Sequence, residues 1–242
     1  MKQPPLLYAP EANNTGLLPP EEAHHALRVL RLGVGEEVTL IDGSGTFHHA
    51  KIVEGTNHTC RYTITGSKTW HKPWMGHIHL AIAPTKNADR MEWLVEKAVE
   101  IGIDELTLLL TEYCERTTFR TDRLEKIAVS AMKQSLKATL PRINPLTPFA
   151  DFLSTTHADA AFICHCHGEY ERTDLRTERC GGSRLVLIGP EGDFSAEEVN
   201  AALARGYRSA SLGESRLRTE TAGLVAVHLM HLSNLCPPPT PH

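Results

Sequence analysis

The hydrophobic pattern changes character about seventy residues into the chain. Before that point, the segment VTLIDGSGTFHHAKIV places the turn residues Asp42–Gly45 between two alternating stretches, which predicts a β-hairpin. The segment RYTITG (61–66) predicts a further strand, and the apolar spacing in HHALRVLRLG (24–33) predicts a short helix. Short strands separated by tight turns predict a small β-barrel over residues 1–70.

From residue 77 onward, apolar runs alternate with helical segments. The segment WHKPWMG (70–76) interrupts both patterns and is the predicted linker. Strands are predicted at 77–84, 105–110 and 158–164, and helices at 89–101 and 121–137. Because alternating strands and helices are typical of a mostly parallel sheet, the sequence predicts an α/β domain over residues 77–236.

The last quarter of the chain contains two strand–loop–helix units in succession. The first joins the apolar run Leu185–Ile188 to a helix that opens with the capping-box pair Ser195 and Glu198. The second joins a short strand ending near Leu212 to an apolar helix through the loop Glu214–Arg218. Both loops follow strands, so they are expected at the carboxyl edge of the sheet, where open α/β proteins bind ligands. The alternative interpretation is that both loops are ordinary strand-to-helix turns that bind no ligand.

Composition and charge narrow the class of protein. An apolar content of 41% in 242 residues supports a folded core, and a net charge of −4 is not that of a generic nucleic-acid binder. Between Tyr113 and Arg142, however, seven basic and three acidic residues leave a local charge of +4. This segment is either a phosphate-contacting face or a solvated helix face.

The sequence does not predict a membrane or secreted protein. The N-terminus lacks the apolar core of a signal peptide, and no apolar run is long enough to cross a bilayer. Six scattered cysteines in a chain of this length do not predict a disulfide scaffold. The expectation is a soluble, cytoplasmic protein with reduced thiols.

Potential metal ligands cluster at Cys164-His165-Cys166-His167, with Cys180 downstream. The Cys-x-Cys spacing differs from the usual zinc spacing, and alternate residues of a strand point to opposite faces. We therefore expect no metal. The cluster is predicted to end a strand and lead into the loop His165–Glu169.

Two motifs of the C-terminal stretch carry a family resemblance. The pairing of GPEG (189–192) with LGESRLRTETA (212–222) resembles the ribosomal RNA small subunit methyltransferase E family of the SPOUT superfamily. Further segments match the family's pattern: Arg28–Arg31, Lys86, Met91-Glu92, Lys97, Glu100-Ile101-Gly102 and Ser130–Ser135. Beside Gln134 the chain departs from that pattern, since Lys133 and Lys137 stand where many members have glutamate and arginine.

The resemblance implies a fold class, namely α/β with a trefoil-knotted SPOUT methyltransferase domain and a small N-terminal PUA-like β-barrel. The barrel, which holds RNA in the family, is expected at 1–70, and the methyltransferase domain at 77–236. In the family, the two loops and a third one before them form the knot. The knot holds the cofactor, S-adenosylmethionine, in a bent conformation.

The implied cofactor site uses the main chain and apolar side chains of these loops. Adenine needs donors and acceptors at its edge and apolar walls, and glycines let the backbone approach a ligand closely. The expected cofactor-binding residues are His165, Ile188, Gly189, Pro190, Glu191, Gly192, Leu212, Gly213, Leu217, Arg218, Glu220, Thr221 and Ala222.

The implied reaction is methylation of N3 of a uridine in 16S ribosomal RNA. That nitrogen carries a proton, so catalysis needs a base or a cation that stabilises the uracil oxyanion. Arg216 and Arg218 are the candidate cations, and Glu191 or Glu220 is the candidate base. Simpler roles stay open: a solvated loop charge for Arg216, a bond from Arg218 to a carboxylate, and helix-dipole compensation for Glu220.

The implied partners are the small ribosomal subunit and a second copy of the chain. The expected RNA-contacting residues are Arg28, Arg31, Lys86, Arg116, Arg120, Arg123, Lys133 and Gln134, with ordinary helix-surface charge as the alternative for the first two. The C-terminal helix, Thr221–Leu235, is apolar around most of its circumference and is expected to form a homodimer interface. Burial of this helix within its own domain is the alternative.

Two other functions stay open at this point. One is a non-catalytic RNA-binding or ribosome-assembly factor that keeps the fold. The other is a SPOUT methyltransferase with a different RNA target, for example transfer RNA.

Overall fold

The alternating segments near the N-terminus form a four-stranded sheet in the structure, a computed structural model that describes residues 4–56, 59–178 and 182–234. In sheet order the strands are β1 (Leu6–Tyr8), β2 (Glu37–Ile41), β3 (Thr46–Gly55) and β4 (Cys60–Thr69). The pair β1–β2 is parallel, and the other two pairs are antiparallel. The predicted strands are confirmed, whereas closure of this sheet into a barrel stays a prediction.

The predicted hairpin joins β2 to β3. Asp42 Oδ1 accepts the backbone N–H of Ser44 at 2.8 Å and that of Thr46 at 3.3 Å. Gly43 and Gly45 adopt positive φ angles of 81° and 111°, a region that a Cβ disfavours. The side chain of the aspartate therefore satisfies the donors of the turn, and the glycines supply its shape.

The predicted short helix of this region is distorted. The helical segments are α1 (Ala12–Thr15), α2 (Pro20–His24) and a π-helix that directly continues α2 (His25–Val29). The backbone N–H of Leu30 bonds to the carbonyl of His25 at 2.9 Å, the wider spacing of a π-turn. This geometry buries Ala26 and leaves Arg28 exposed.

From His77 onward the described residues form a seven-stranded sheet in which every pairing is parallel. In sheet order, numbered along the chain, the strands are β7 (Arg142–Pro148), β6 (Glu105–Leu110), β5 (His77–Ile82), β10 (Ser183–Ile188), β8 (Ala160–Cys164), β11 (Arg208–Ser211) and β9 (Thr173–Asp174). The helices are α3 (Ala88–Ile101), α4 (Asp122–Gln134), α5 (Phe149–Thr155), α6 (Ala196–Leu203) and α7 (Thr219–Ser233). The predicted α/β fold with a parallel sheet is confirmed.

Contacts divide the chain into two compact units. The N-terminal unit contains the chain up to Lys72 together with Val129–Leu140, and the C-terminal unit contains Pro73–Ala128 and the chain from Pro141 onward. The predicted division at residues 70 and 77 thus differs in the segment Val129–Leu140. Hydrogen bonds explain the difference, because Leu140 N–H bonds to the Gly43 carbonyl at 2.9 Å within the N-terminal unit.

The sequence pattern does not predict β7, α5 or β9. The β7 sequence, RINPLTP, contains two prolines, which lack a backbone donor and interrupt strand patterns. In the sheet β7 is an edge strand, the position where proline is tolerated. At the other edge β9 is two residues long, too short for any periodicity.

The strand order gathers three loops at one edge of the sheet. The strand β10 lies between β5 and β8 although it follows both in the chain, and β11 then pairs with the opposite side of β8. Because these strands are parallel, the loops after β8, β10 and β11 all leave the sheet at its carboxyl edge.

The predicted capping box fixes the start of α6. Ser195 Oγ accepts the N–H of Glu198 at 3.3 Å, and Glu198 Oε2 accepts the N–H of Ser195 at 3.0 Å. The loop after β10 is therefore anchored at both ends, by the sheet and by this cap. Among the described helices, none is long and apolar enough to cross a membrane.

Candidate active site

A pocket of about 530 Å³ opens at the carboxyl edge of the C-terminal unit's sheet. Its walls come from the end of β8 and its loop, from the loop after β10, and from the segment between β11 and the first turn of α7. Eleven of the thirteen expected cofactor-binding residues line it: His165, Ile188, Gly189, Pro190, Glu191, Gly192, Leu212, Gly213, Leu217, Arg218 and Ala222. Glu220 and Thr221 do not line it, and their contact with a cofactor stays a prediction.

The loop after β10 is folded tightly on itself at Gly189. A Cβ added there would lie 3.0 Å from the backbone nitrogen of Phe194, which is tighter than nine in ten real Cβ contacts. Asp193 sits at a φ of 68°, and its Oδ2 accepts the N–H of Cys166 at 2.7 Å. A side chain at position 189 would therefore push the backbone at Phe194 outward by a few tenths of an ångström. Asp193 ties this loop to the one after β8.

The loop after β8 places a neutral imidazole in the pocket wall. His165 Nε2 is 2.8 Å from Ser209 Oγ, and burial lowers the pKa of the ring below its ordinary value. Arg172 Nη1 donates to the carbonyl of His165 at 3.1 Å and also lines the pocket. A neutral ring whose Nε2 is already engaged can contact a ligand through its shape and through Nδ1. It carries no positive charge.

The two thiols in this wall are protonated. Burial raises the pKa of Cys164 to about 12 and also raises that of Cys166. The thiolate is the nucleophilic form of cysteine, so neither thiol is poised to act as a nucleophile. Within the described ranges, no three His, Cys, Asp or Glu side chains are placed to hold a metal, and Cys180 lies outside those ranges.

Four arginines line the pocket, and two of them are the predicted catalytic cations. Arg216 and Arg218 are exposed, and in the part of the chain that the structure describes neither forms an ion pair. Arg218 precedes the first turn of α7, and its carbonyl accepts the N–H of Ala222 at 2.7 Å. The interpretation of Arg218 as a bond to a carboxylate therefore has no support in the contacts seen.

The two candidate bases differ in their surroundings. Glu191 is exposed at the pocket, and its Oε1 accepts the backbone N–H of Lys86 at 3.1 Å. Glu220 is 7% exposed, its Oε1 lies 3.7 Å from Arg90 Nε, and its Oε2 is buried without a hydrogen-bond partner. Arg90 itself lines the pocket, so Glu220 is linked to the pocket indirectly, by its contact with this arginine.

The predicted RNA-contacting residues fall into both units. In the N-terminal unit Arg28 and Arg31 are exposed at the end of the π-helix, and Gln134 is exposed at the end of α4. Lys133 is half-buried in an ion pair with Glu22, which reduces its availability to a phosphate.

In the C-terminal unit the four predicted cations are engaged in surface contacts. Lys86 pairs with Glu115 at 2.8 Å, Arg120 with Asp122, and Arg123 with Glu92 at 2.6 Å. Arg116 Nη2 donates to the carbonyl of Lys86 at 2.8 Å. Exposed ion pairs contribute about 0–1 kcal/mol, so a phosphate can displace these carboxylates at little cost.

Sequence reasoning misses nine residues of the pocket: Arg90, Cys164, Cys166, Arg172, Asp193, Ala210, Ser211, Ser215 and Thr219. Most of them lie one or two positions from residues that were predicted. Arg90 is different, because it lies on α3 and nothing in its local pattern distinguishes it from a helix-surface arginine. Only the packing of α3 against α7 brings it to the pocket.

Together the fold and the pocket define a class, a parallel α/β protein with a ligand site in the crevice at the carboxyl edge of its sheet. Main-chain groups, apolar side chains and arginines line the crevice, which suits a nucleotide-like ligand and an anionic partner. A family model for an RNA methyltransferase domain matches residues 72–231, and one for an RNA methyltransferase PUA domain matches residues 18–65. The chain belongs to this RNA methyltransferase family.

Individual relatives agree with this assignment. A probable rRNA-methyltransferase structure from Porphyromonas gingivalis is 45% identical, with a TM-score of 0.91 over 95% of this chain and 98% of that one. A ribosomal RNA small subunit methyltransferase E from Neisseria gonorrhoeae, bound to S-adenosyl methionine, is 28% identical, with a TM-score of 0.83 over the same shares. The enzyme of that name from Rickettsia conorii is 27% identical over 86% of each chain. The resemblance proposed from the sequence is confirmed.

Proposed function

We propose that this chain transfers a methyl group from S-adenosylmethionine to N3 of a specific uridine in the 16S ribosomal RNA of the small subunit. The observation that carries the proposal is the pocket formed by three loops. Over 95% of its length the chain is similar to a ribosomal RNA small subunit methyltransferase E bound to S-adenosyl methionine. The cytoplasm, where ribosomal subunits are assembled, is the expected place of action.

The pocket fits the proposed cofactor in size and in chemistry. A volume of about 530 Å³ is within the range of sites for ligands of this size. Ile188, Leu212 and Leu217 supply apolar walls for adenine, and the backbone of Gly189–Gly192 supplies donors and acceptors at its edge. When bound, the cofactor supplies an electrophilic methyl group on a positively charged sulfur.

The chain's own residues would prepare the uridine. N3 becomes nucleophilic once its proton leaves, and the resulting negative charge spreads onto the uracil oxygens. Arg216 and Arg218, without carboxylate partners in the described residues, are free to stabilise that oxyanion. Glu191 is the preferred base, because it is exposed at the pocket, whereas Glu220 acts on Arg90.

The N-terminal unit would dock the RNA. In this proposal residues 1–70 close into a PUA-like barrel, supported by the four-stranded sheet and by the PUA domain match at 18–65. Arg28 and Arg31 would contact phosphates, supported by their exposure at the end of the π-helix.

The methyltransferase domain, 77–236, would carry the trefoil knot. Support comes from the strand order, since the chain must return to insert β10 between β5 and β8 before it forms β11 and α7. An entangled return of this kind would hold the three pocket loops against one another. The end of this domain, with Leu235, lies outside the described residues.

The active form is proposed to be a homodimer built around α7. One face of this helix is buried in its own unit, including Gly223, Val227 and Met230. On the opposite side Leu229 is half-buried and Leu232 is 47% exposed. A second copy would cover this apolar surface, since two-fold pairing is the commonest arrangement of soluble oligomers.

A labelled-methyl assay tests the proposed function. The purified protein is incubated with labelled S-adenosylmethionine and either small ribosomal subunits lacking the modification, free 16S ribosomal RNA, or transfer RNA. We expect transfer to one uridine of the small subunit, detected as a stop of reverse transcription because an N3-methyl group blocks base pairing. Cofactor binding without transfer would indicate a non-catalytic factor, and transfer to transfer RNA would indicate another target.

A further inference from the structure

An exposed aromatic ring lies beside the proposed methyl-transfer pocket. Tyr113, in the loop between β6 and α4, is 51% exposed. A Cβ added at Gly192, which lines the pocket, would lie 3.0 Å from Tyr113 Cβ. The stem of Tyr113 therefore packs against the pocket loop while a large part of the side chain faces outward.

The backbone around Tyr113 is held in place on both sides. The N–H of Glu112 bonds to Glu198 Oε1 at 2.9 Å, and Glu198 is itself fixed in the capping box of α6. The N–H of Cys114 bonds to the carbonyl of Thr111 at 3.2 Å, and its buried thiol is 3.9 Å from the carbonyl of Pro84. A ring on such an anchored loop loses little conformational freedom when it binds a partner.

Charges of both signs lie near this ring in the chain, with Glu112 and Glu115 beside it and Arg116 and Arg120 further along its loop. Arg116, three residues further along the loop, lies 5.4 Å from the centre of the Phe119 ring and reaches the carbonyl of Lys86. Arg120, on the same loop, is almost fully exposed. A rigid exposed aromatic with arginines on the same loop is a feature of surfaces that stack nucleobases and contact phosphates.

We propose that Tyr113 stacks on a base of the substrate RNA next to the uridine that enters the pocket. This inference rests on the proposed function. A uridine that enters the pocket must leave its stack, and its neighbour then loses a stacking surface. The ring of Tyr113, packed against the pocket wall at Gly192, replaces that surface and selects RNA whose neighbouring base is free to stack.

The test compares three variants in binding and in turnover. Tyr113→Phe keeps the ring, Tyr113→Leu keeps a similar apolar bulk without the ring, and Tyr113→Ala removes both. The probes are a fluorescent uridine-rich 12-mer RNA, an abasic 12-mer of equal charge, and unmodified small ribosomal subunits. Fluorescence anisotropy gives Kd for the 12-mers, and the labelled-methyl assay gives KM for the subunits.

If Tyr113 stacks on one base, the Leu and Ala variants should raise Kd for the uridine-rich 12-mer and KM for the subunits by about tenfold. The Phe variant should keep both constants near those of the wild type. With the abasic 12-mer, all four proteins should bind alike. Cofactor affinity, measured by calorimetry, and the oligomeric state, measured by light scattering, should not change.

Equal binding of the uridine-rich 12-mer by wild type, Leu and Ala variants would overturn the proposal, as would the same loss with the abasic 12-mer. A change of oligomeric state in the Leu variant would also overturn it, since Tyr113 would then face a second copy. The proposed function fails separately, through absence of methyl transfer by the wild type, because anisotropy needs no turnover.

Discussion

One buried histidine, which stays neutral in the folded protein, should make this protein lose stability between pH 6.5 and pH 4.5. His79 on β5 is 6% exposed, and its Nε2 lies 2.8 Å from Thr107 Oγ1. Its ring makes a T-shaped contact with that of Phe152. Burial is the main cause that lowers the pKa of His79 from 6.5 to about 4, although Glu105 nearby opposes the change. The folded state therefore holds this ring neutral.

The sign and the size of the effect follow from linkage. Above pH 6.5 the ring is neutral in both states, so it adds no pH dependence. As the pH falls below 6.5 the unfolded chain takes up a proton that the folded chain refuses, and unfolding becomes more favourable. The fall of the pKa from 6.5 to about 4, at about 1.36 kcal/mol per pH unit, is worth roughly 3 kcal/mol.

The window from pH 6.5 to pH 4.5 separates this effect from that of Glu105. The hydrogen bond from His77 is the main cause that lowers the pKa of Glu105 from 4.5 to about 2, so its stabilising effect is complete above pH 4.5 and lost below it. Most of the His79 contribution, about 2 kcal/mol, is lost within this window, while Glu105 loses only a small part of its own.

The assay is urea unfolding followed by fluorescence at pH 6.5, 5.5 and 4.5, for the wild type and for His79→Gln. Glutamine keeps a hydrogen-bonding side chain toward Thr107 and does not titrate, while all other histidines are common to both proteins. Between pH 6.5 and pH 4.5 the free energy of unfolding of the wild type should fall by about 2 kcal/mol more than that of the variant. Parallel pH dependences in the two proteins would refute the reasoning.

Four further predictions address the proposed site and its partners. Gly189→Ala should lower the melting temperature by several degrees and weaken cofactor binding in calorimetry, because its Cβ would meet the backbone nitrogen of Phe194 at 3.0 Å; an unchanged melting curve would contradict this. Arg216→Ala should reduce kcat by roughly 10²–10³-fold with cofactor affinity near that of the wild type, and a change confined to KM would argue against stabilisation of the oxyanion. Arg120→Glu should lower the slope of log K against log salt for RNA binding by about one, and an unaltered slope would identify a bystander. Leu232→Glu should yield monomers, detected by light scattering, and these should show impaired methyl transfer. A wild-type monomer with full activity would contradict the proposed homodimer.

The sequence determined those features that depend on neighbours along the chain. Ser195 and Glu198 form their capping box because its partners are three residues apart. Asp42 forms its turn for the same reason, through contacts with residues two and four positions on. Apolar runs such as Leu185–Ile188 became central strands, since a strand buried on both faces needs no polar alternation.

The family motifs added a second kind of information. The pairing of GPEG with LGESRLRTETA pointed to eleven residues that line one pocket, although no local pattern connects them. It also placed Glu220 and Thr221 among the cofactor contacts, whereas the structure leaves both outside the pocket wall. A motif identifies which segments meet, and it does not say which way each side chain of a helix turn points.

What only the tertiary structure decided depends on contacts between distant residues. Insertion of β10 between β5 and β8 brings three loops to one edge, and that order is set by the packing of the whole sheet. The same packing brings Arg90 from α3 to the pocket, holds Lys133 against Glu22, and sets Tyr113 against Gly192. These pairs are separated by tens of residues or more in the chain, so no local periodicity encodes them. Their geometry is fixed only when burial of the apolar strands brings the segments together.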